Sequence, residues 1–248
     1  MISRRVVVTG LGLLTPVGNC VKNSWEAIRE GKSGIAPIEH FDVESFGTRF
    51  GGSLKGFDCS KYIEPKDSRR MDIFMQYGIA AGVQAFDDSG LTADKYNPER
   101  CGVTVGSGIG GIKTIEETSL QIRDSGPRKV SPFFVPGSII NMISGNLSIR
   151  FGFKGPNISI TTACATGTHN IGIAANMISN NQADIMLAGG AEMAASPVGL
   201  GGFCAARALS SRNDDPRSAS RPWDKDRDGF VLGDGAGVMV LEELEHAK

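Results

Sequence analysis

The chain has 248 residues, a formal net charge of −1 and a hydrophobic fraction of 40%. This near-neutral charge argues against nucleic acid as a partner, because nucleic-acid-binding surfaces are strongly basic. No stretch approaches the ~20 apolar residues that a membrane span needs, and Met1–Val6 leads directly into a strand pattern, so we expect no signal peptide. Five scattered cysteines predict free thiols in a reducing cytoplasm and no metal site.

Short apolar runs rich in β-branched residues predict the strands. In chain order they are Arg4–Gly10, Cys101–Gly106, Asn157–Thr162, Asp184–Gly190 and Val238–Glu243. Helical spacing predicts helices over Met71–Phe86, with Gly90 as the stop, over Ile139–Ile149, and from Cys164 onward. Strands that alternate with helices predict an α/β fold, in which helices cover both faces of a mainly parallel sheet. Two loop-rich insertions, Pro37–Asp67 and Pro197–Gly237, are not of low complexity, so we expect both to be ordered.

Cys164 lies where a predicted strand passes into a predicted helix. A thiol at this junction meets the unpaired amides and the positive dipole end of the helix, which favour the thiolate. Such a cysteine is a candidate nucleophile for a thioester, with the helix amides holding the oxyanion. The alternative is a small buried cysteine without a chemical role. The residues alone leave these two interpretations evenly balanced.

The sequence does not supply an obvious general base for this thiol. Of the three histidines, His169 follows Cys164 by five residues. On a helix that spacing turns the side chain about 140° away, so we predict a packing role for His169. Nothing in the sequence places His40 or His246 beside Cys164. No Cys–His pair can therefore be assembled from the sequence.

Two further patterns leave more than one interpretation open. Gly106–Gly111 lacks the Lys-Ser/Thr of a phosphate loop and the glycine spacing of a dinucleotide fold, so it favours a close backbone approach over nucleotide binding. Small basic groups fit either a patch for an acidic partner or solvated surface charge. These groups are Lys66 with Arg69 and Arg70, Arg128 with Lys129, and Arg207 with Arg212.

Several motifs spread over essentially the whole chain share one resemblance. They are Val6–Gly12 with Thr15–Gly18, Gly106–Gly111, Ser131–Pro136, Thr162–Cys164 and Arg221–Asp224. Together they resemble the β-ketoacyl-acyl-carrier-protein synthases of the thiolase superfamily. Ile109 and Phe133–Phe134 are similar to the type II elongating enzymes of bacterial fatty acid synthesis. The resemblance favours Cys164 as the nucleophile over the buried alternative.

The resemblance implies a thiolase-like fold, with a five-stranded mixed, mostly parallel sheet. It also implies that Cys164 accepts an acyl chain from the phosphopantetheine thioester of an acyl carrier protein, so no free cofactor is needed. Malonyl-carrier protein would then decarboxylate and lengthen the chain by two carbons. Family members are homodimers in which the strand Asn157–Thr162 pairs across the two-fold axis.

Residue by residue, the resemblance implies an acyl pocket and a docking surface. Ile109 would lie at the pocket, Phe134 would enter it from the partner subunit, and Phe203 would line the same region. The positions that match the family's carrier-protein contacts are Lys66, Arg69, Arg70, Arg128, Lys129 and Arg207.

Family proteins carry two catalytic histidines, charged supports and a glycine-rich Phe loop in a second half. We therefore expect residues 1–248 to form an N-terminal β-ketoacyl synthase domain without that C-terminal half, and to lack condensation activity alone. One alternative is a non-catalytic module of the same fold that dimerises or binds carrier protein. Another is a thiolase that acts on coenzyme A esters. The sequence does not fix the preferred acyl length.

Overall fold

A computed structural model describes residues 4–248. The expectation that the chain enters a strand without a signal peptide rests partly on Met1–Ser3, which lie outside the described residues. The strands are β1 (Val6–Leu14), β2 (Ala36–Pro37), β3 (Phe50–Gly51), β4 (Cys101–Gly106), β5 (Asn157–Ile158), β6 (Ile185–Glu192) and β7 (Gly235–Glu243). The helices are α1 (Val21–Arg29), α2 (Pro65–Ser68), α3 (Ile73–Ser89), α4 (Ile112–Ser125), α5 (Phe134–Ser138), α6 (Met142–Phe151), α7 (Thr166–Ser179), α8 (Pro197–Ala205) and α9 (Leu244–Ala247). Both loop-rich insertions are ordered, as predicted, and the second contains α8.

The central sheet has five strands in the order β1-β7-β6-β4-β5. β4 pairs in parallel with β5 and β6, whereas β7 runs antiparallel to its neighbours β6 and β1. Four strands therefore share one direction and only β7 opposes them. This arrangement confirms the predicted α/β fold with a mixed, mostly parallel sheet. The carboxyl ends of β4 and β6 lie side by side, because Gly106 is in register with Gly190.

Helices cover both faces of this sheet because its buried strands present apolar side chains in both directions. On β6, Ile185 and Leu187 pack into the core formed with α3 and α6, whereas Met186 and Ala188 pack with α7. The helix α3 ends at Gly90, which adopts a left-handed φ of 66°, as predicted. No helix in residues 4–248 is long and apolar enough to cross a lipid bilayer.

The strand predicted over Asn157–Thr162 is wrong beyond its first two residues, since only Asn157 and Ile158 pair with β4. The side chain of Asn170, from α7, replaces the missing strand partner. Its amide donates to the carbonyl of Ile160 at 2.9 Å, and its oxygen accepts from the amide of Ile160 at 3.1 Å. A helix side chain therefore satisfies backbone groups that a strand would otherwise pair.

Candidate active site

Cys164 lies on the exposed turn that joins this segment to α7. The preceding residue, Ala163, has a φ of 50°, a conformation that costs energy for any residue except glycine. The turn is closed by the amide of Thr166, which donates to the carbonyl of Ala163 at 3.1 Å, and by its hydroxyl, which accepts from the amide of Thr162 at 2.8 Å. α7 therefore begins at Thr166 and not at Cys164, and the thiol is held out at the tip of a strained turn.

Two of the backbone amides that we expected to hold the oxyanion instead form hydrogen bonds within this turn. The amide of Ala165 donates to Thr162 at 3.1 Å, and that of Thr166 donates to Ala163. Within residues 4–248 the amide of Cys164 itself makes no hydrogen bond under ordinary distance and angle limits. Of these donors near the thiol, the amide of Cys164 is the one available for a developing oxyanion.

Each of the three histidine rings has a hydrogen-bond partner other than Cys164. His169 is exposed, and its Nδ1 lies 2.7 Å from the hydroxyl of Thr162, so the predicted packing role is wrong. His40 binds the carbonyl of Ala195 at 2.7 Å, and His246 binds the carboxylate of Glu242 at 2.8 Å. The interpretation that the sequence supplies no Cys–His pair agrees with this geometry.

The glycine-rich segment Gly106–Gly111 encloses a carboxylate from the same chain. Glu192, the last residue of β6, accepts hydrogen bonds from the hydroxyl of Ser107 and from the amides of Gly108 and Ile109. Burial raises the pKa of Glu192, and these donors partly oppose that rise. The amides that a phosphate would need are therefore occupied, which agrees with the interpretation against nucleotide binding.

Two of the predicted docking residues line a surface cleft of about 230 Å³. Arg69 and Arg70 form one wall, and Phe134, the predicted pocket residue, lies in the same cleft. The guanidinium of Arg70 stacks 4.0 Å from the ring centre of Phe133, a favourable cation–π distance. The structure thus brings together basic and aromatic residues that the sequence placed in separate motifs.

The other predicted residues lie outside this cleft. Ile109 is exposed on the glycine-rich segment, whereas Phe203 packs edge-to-face on Phe230 at 5.4 Å, within a separate apolar cluster. The remaining basic residues are exposed; they are Lys66, Arg128, Lys129 and Arg207. Their proposed roles, like those of Ile109, Phe134 and Phe203, stay predictions.

Sequence reasoning missed three residues that organise the site: Asn170, Glu192 and Ser107. Each acts through a partner distant in the chain, such as the 2.8 Å bond between Ser107 and Glu192. Cys164 is exposed, whereas Cys20, Cys59 and Cys204 are half-buried. Cys101 is fully buried, and burial raises its pKa to about 12. In the part of the chain that the structure describes, no three His, Cys, Asp or Glu side chains are grouped as metal ligands.

Comparison with known proteins gives a consistent family. The family model described as "Beta-ketoacyl synthase, N-terminal domain" matches residues 3–247. The chain is 64% identical over its whole length to 3-oxoacyl-[acyl-carrier-protein] synthase 2 of Vibrio cholerae, and covers 60% of that protein. It is 50% identical to the chloroplastic 3-oxoacyl-[acyl-carrier-protein] synthase I of Arabidopsis thaliana, with 98% of this chain and 52% of that protein covered.

Solved structures agree with this match. A beta-ketoacyl synthase from Burkholderia phymatum superposes with a TM-score of 0.87 at 32% identity, over 98% of this chain and 60% of that one. A type II PKS ketosynthase in complex with its acyl-carrier protein superposes with a TM-score of 0.88 at 30% identity, over 99% and 59%. The chain thus spans about 60% of the length of the Vibrio relative. By these matches and by its fold, the chain belongs to the beta-ketoacyl synthase family.

Proposed function

We propose that the gene product containing this chain is a β-ketoacyl-acyl-carrier-protein synthase of fatty acid elongation, in which Cys164 carries the acyl chain. The observation that carries this proposal is the exposed thiol on the strained turn at Ala163, directly before α7. Such a turn projects a nucleophile beyond the backbone, where a thioester can reach it. The relatives named above carry the same activity in their names.

The first half-reaction is a thioester exchange. The thiolate of Cys164 attacks the carbonyl carbon of the acyl group, and a new carbon–sulfur bond forms to the enzyme. The bond to the phosphopantetheine sulfur then breaks, and the departing thiolate takes a proton. The amide of Cys164, which makes no hydrogen bond within residues 4–248, is the donor that we assign to the intermediate oxyanion.

The second half-reaction needs acid–base groups that these residues do not bring to the thiol. His40, His169 and His246 are committed to other partners. We therefore propose that residues 1–248 support acyl transfer to Cys164 but not decarboxylative condensation. The fixed turn also argues against a purely non-catalytic binding module, which has no use for an exposed thiol at this point.

The proposed partner is an acyl carrier protein that delivers the acyl chain on phosphopantetheine, so no free cofactor is required. Carrier proteins of this kind are acidic, and the cleft lined by Arg69 and Arg70, together with the exposed Lys66, Arg128, Lys129 and Arg207, offers complementary charge. This pairing favours a carrier-protein enzyme over a thiolase that acts on coenzyme A esters. A homodimer in the cytoplasm, with all five cysteines free, completes the proposal.

Intact mass spectrometry after incubation with acyl-carrier protein tests the proposal. We expect a mass gain equal to the acyl group in the full-length gene product, and no gain in the Cys164→Ser variant. The 248-residue chain is run in parallel; it should gain the acyl mass and, when malonyl-carrier protein is added, should give no elongated acyl-carrier product. A full-length protein that remains unacylated, or a Cys164→Ser variant that gains the same mass, would overturn the proposal.

A further inference from the structure

The carboxylate of Glu192 is the centre around which the glycine-rich segment folds. Ser107 Oγ donates to it at 2.8 Å, the amide of Gly108 at 2.7 Å and the amide of Ile109 at 3.1 Å. The amide of Gly110 donates in turn to Ser107 Oγ at 3.0 Å. Successive donors that converge on one anion form a nest, and here the anion is an internal side chain. One residue of β6 thus fixes the conformation of four consecutive residues after β4.

Burying the carboxylate of Glu192 costs free energy, which pairing with a cationic side chain would offset. Every hydrogen bond that Glu192 accepts within residues 4–248 comes from an uncharged donor. A partly buried carboxylate without a cationic partner pays a desolvation penalty, which is why burial raises the pKa of Glu192. A carboxylate is nevertheless the side chain that suits these positions, because it can accept at both oxygens and has no donor to oppose the amides.

The nest is in direct contact with the turn that presents the nucleophile. A Cβ atom placed on Gly108 would lie 2.7 Å from Glu192 Oε2 and 3.1 Å from the carbonyl oxygen of Ala163. A side chain at Gly108 would therefore displace the carboxylate of Glu192 and press on the residue that precedes Cys164. The exposed side chain of Ile109 follows Gly108 immediately. A displacement of the nest would move Ile109 and would remove the support beneath the turn.

We propose that Glu192 is a positioning residue for acyl transfer, which holds Ile109 and the turn of Cys164 in a fixed relation. This inference rests on the proposed function, since it assumes that an acyl chain on Cys164 passes Ile109. Glu192 does not touch the acyl group in this account. It acts through Gly108 and Ile109, so its loss should alter which acyl chains are accepted as well as how fast they are transferred.

The test measures acylation of Cys164 in the full-length gene product with a short and a long acyl-carrier protein donor. Glu192→Gln keeps the shape of the side chain but turns an amide donor toward the backbone amides. We expect acylation to slow by about tenfold, and the ratio of the short-chain to the long-chain rate to change by at least about threefold. Ser107→Ala removes one donor and should change the same ratio in the same direction by a smaller factor.

Glu243→Gln provides a matched control at the opposite end of the sheet. Glu243 is also a buried carboxylate that accepts two backbone amides, from Glu245 at 2.9 Å and His246 at 3.0 Å, although it also lies 3.8 Å from the guanidinium of Arg4. This variant should keep the wild-type ratio of rates even where it lowers the melting temperature. An unchanged ratio in Glu192→Gln and Ser107→Ala, or an equal change in Glu243→Gln, would refute the positioning role. Failure of the wild-type protein to acylate would instead refute the proposed function.

Discussion

A carboxylate lies at each end of β6, and the two differ in whether cationic side chains bind them. At the amino end, Asp184 accepts hydrogen bonds from Arg100 and Arg4, and these partners, Arg100 first, lower its pKa to about 2. At the carboxyl end, every donor to Glu192 within residues 4–248 is uncharged, and burial raises its pKa. The fold compensates charge at one end and leaves it without a counter-ion at the other.

This difference separates a structural end of the sheet from the candidate functional end. The Asp184 cluster joins the start of the chain to β6 and to the residue before β4, so it stabilises the packing of the strands. The end at Glu192 instead combines an uncompensated carboxylate with the strained φ of Ala163. Strained backbone and uncompensated buried charge are both unfavourable for stability, and such features are concentrated at functional sites.

The largest expected contrast is between two cysteines near opposite ends of the sheet. Cys101 begins β4, is fully buried and has a pKa raised to about 12, mainly by burial, so it should react with iodoacetamide at pH 8 at least ~100-fold more slowly than a simple thiol. Cys164 is exposed and should be the first of the five cysteines to be labelled. Peptide mapping of a labelling time course measures both rates.

Cys164→Ser is the control for this labelling. The early label should disappear in the variant, while the slow label on Cys101 should remain unchanged. Early labelling of Cys101 would contradict the distinction between the two ends, because it would place a reactive thiol inside the structural end.

A second contrast uses two glycines of β4. A Cβ atom on Gly106 would lie 2.4 Å from the carbonyl oxygen of Ile160 and 2.7 Å from Asn170, whereas one on Gly102 would lie 2.4 Å from the carbonyl oxygen of Pro156. Alanine at either position should destabilise the protein by roughly 1–3 kcal/mol through overpacking. Only Gly106→Ala should also slow acylation of Cys164, by about tenfold or more, because it displaces α7.

Urea denaturation and acylation kinetics of both variants provide the measurement. Gly102→Ala serves as the matched control, since it tests overpacking away from Cys164. Equal slowing of acylation by the two variants would show that the effect reflects general destabilisation and not the position of α7.

The parts of this molecule that the sequence predicted are those set by local patterns. The helix α3 follows from apolar spacing and a terminal Gly90, and the central strands follow from short β-branched runs. The junction at Cys164 followed from the change between these patterns. Local spacing therefore located Cys164 as a candidate nucleophile, and the family resemblance was needed to favour that role over a buried thiol.

The features that the sequence did not reveal are side-chain contacts and a backbone conformation that no local pattern encodes. Glu192 ends an apolar strand, and its donors lie more than 80 positions earlier, so no local pattern points to the nest. The short β5 has a similar cause, because the side chain of Asn170 pairs the backbone of Ile160. The positive φ of Ala163 has no signal in the sequence, since alanine does not favour that conformation.

A third prediction concerns acid stability at the structural end. The folded-state pKa of Asp184 is below its ordinary value of 3.8, so its ion pairs stabilise the fold above that pH, and the contribution is lost as pH falls toward about 2. The loss amounts to about 2 kcal/mol at most. Asp184→Asn should therefore be less stable than wild type near pH 6 and should approach it near pH 2. Parallel curves over this range would contradict the prediction.

The smallest expected effect has the opposite sign and lies at the other end of the same strand. Because the folded-state pKa of Glu192 is above its ordinary value of 4.5, the protonated form is preferred in the fold, and stability falls as pH rises above that value. The donors around Glu192 oppose burial, so we expect a weaker dependence than for Asp184. Glu192→Gln should gain stability relative to wild type as pH rises from 4.5, whereas Asp184→Asn should lose it from about pH 2 upward. Unfolding free energies in urea between pH 2 and pH 8 give both slopes, and two slopes of the same sign would mean that the ends of β6 do not differ in charge compensation.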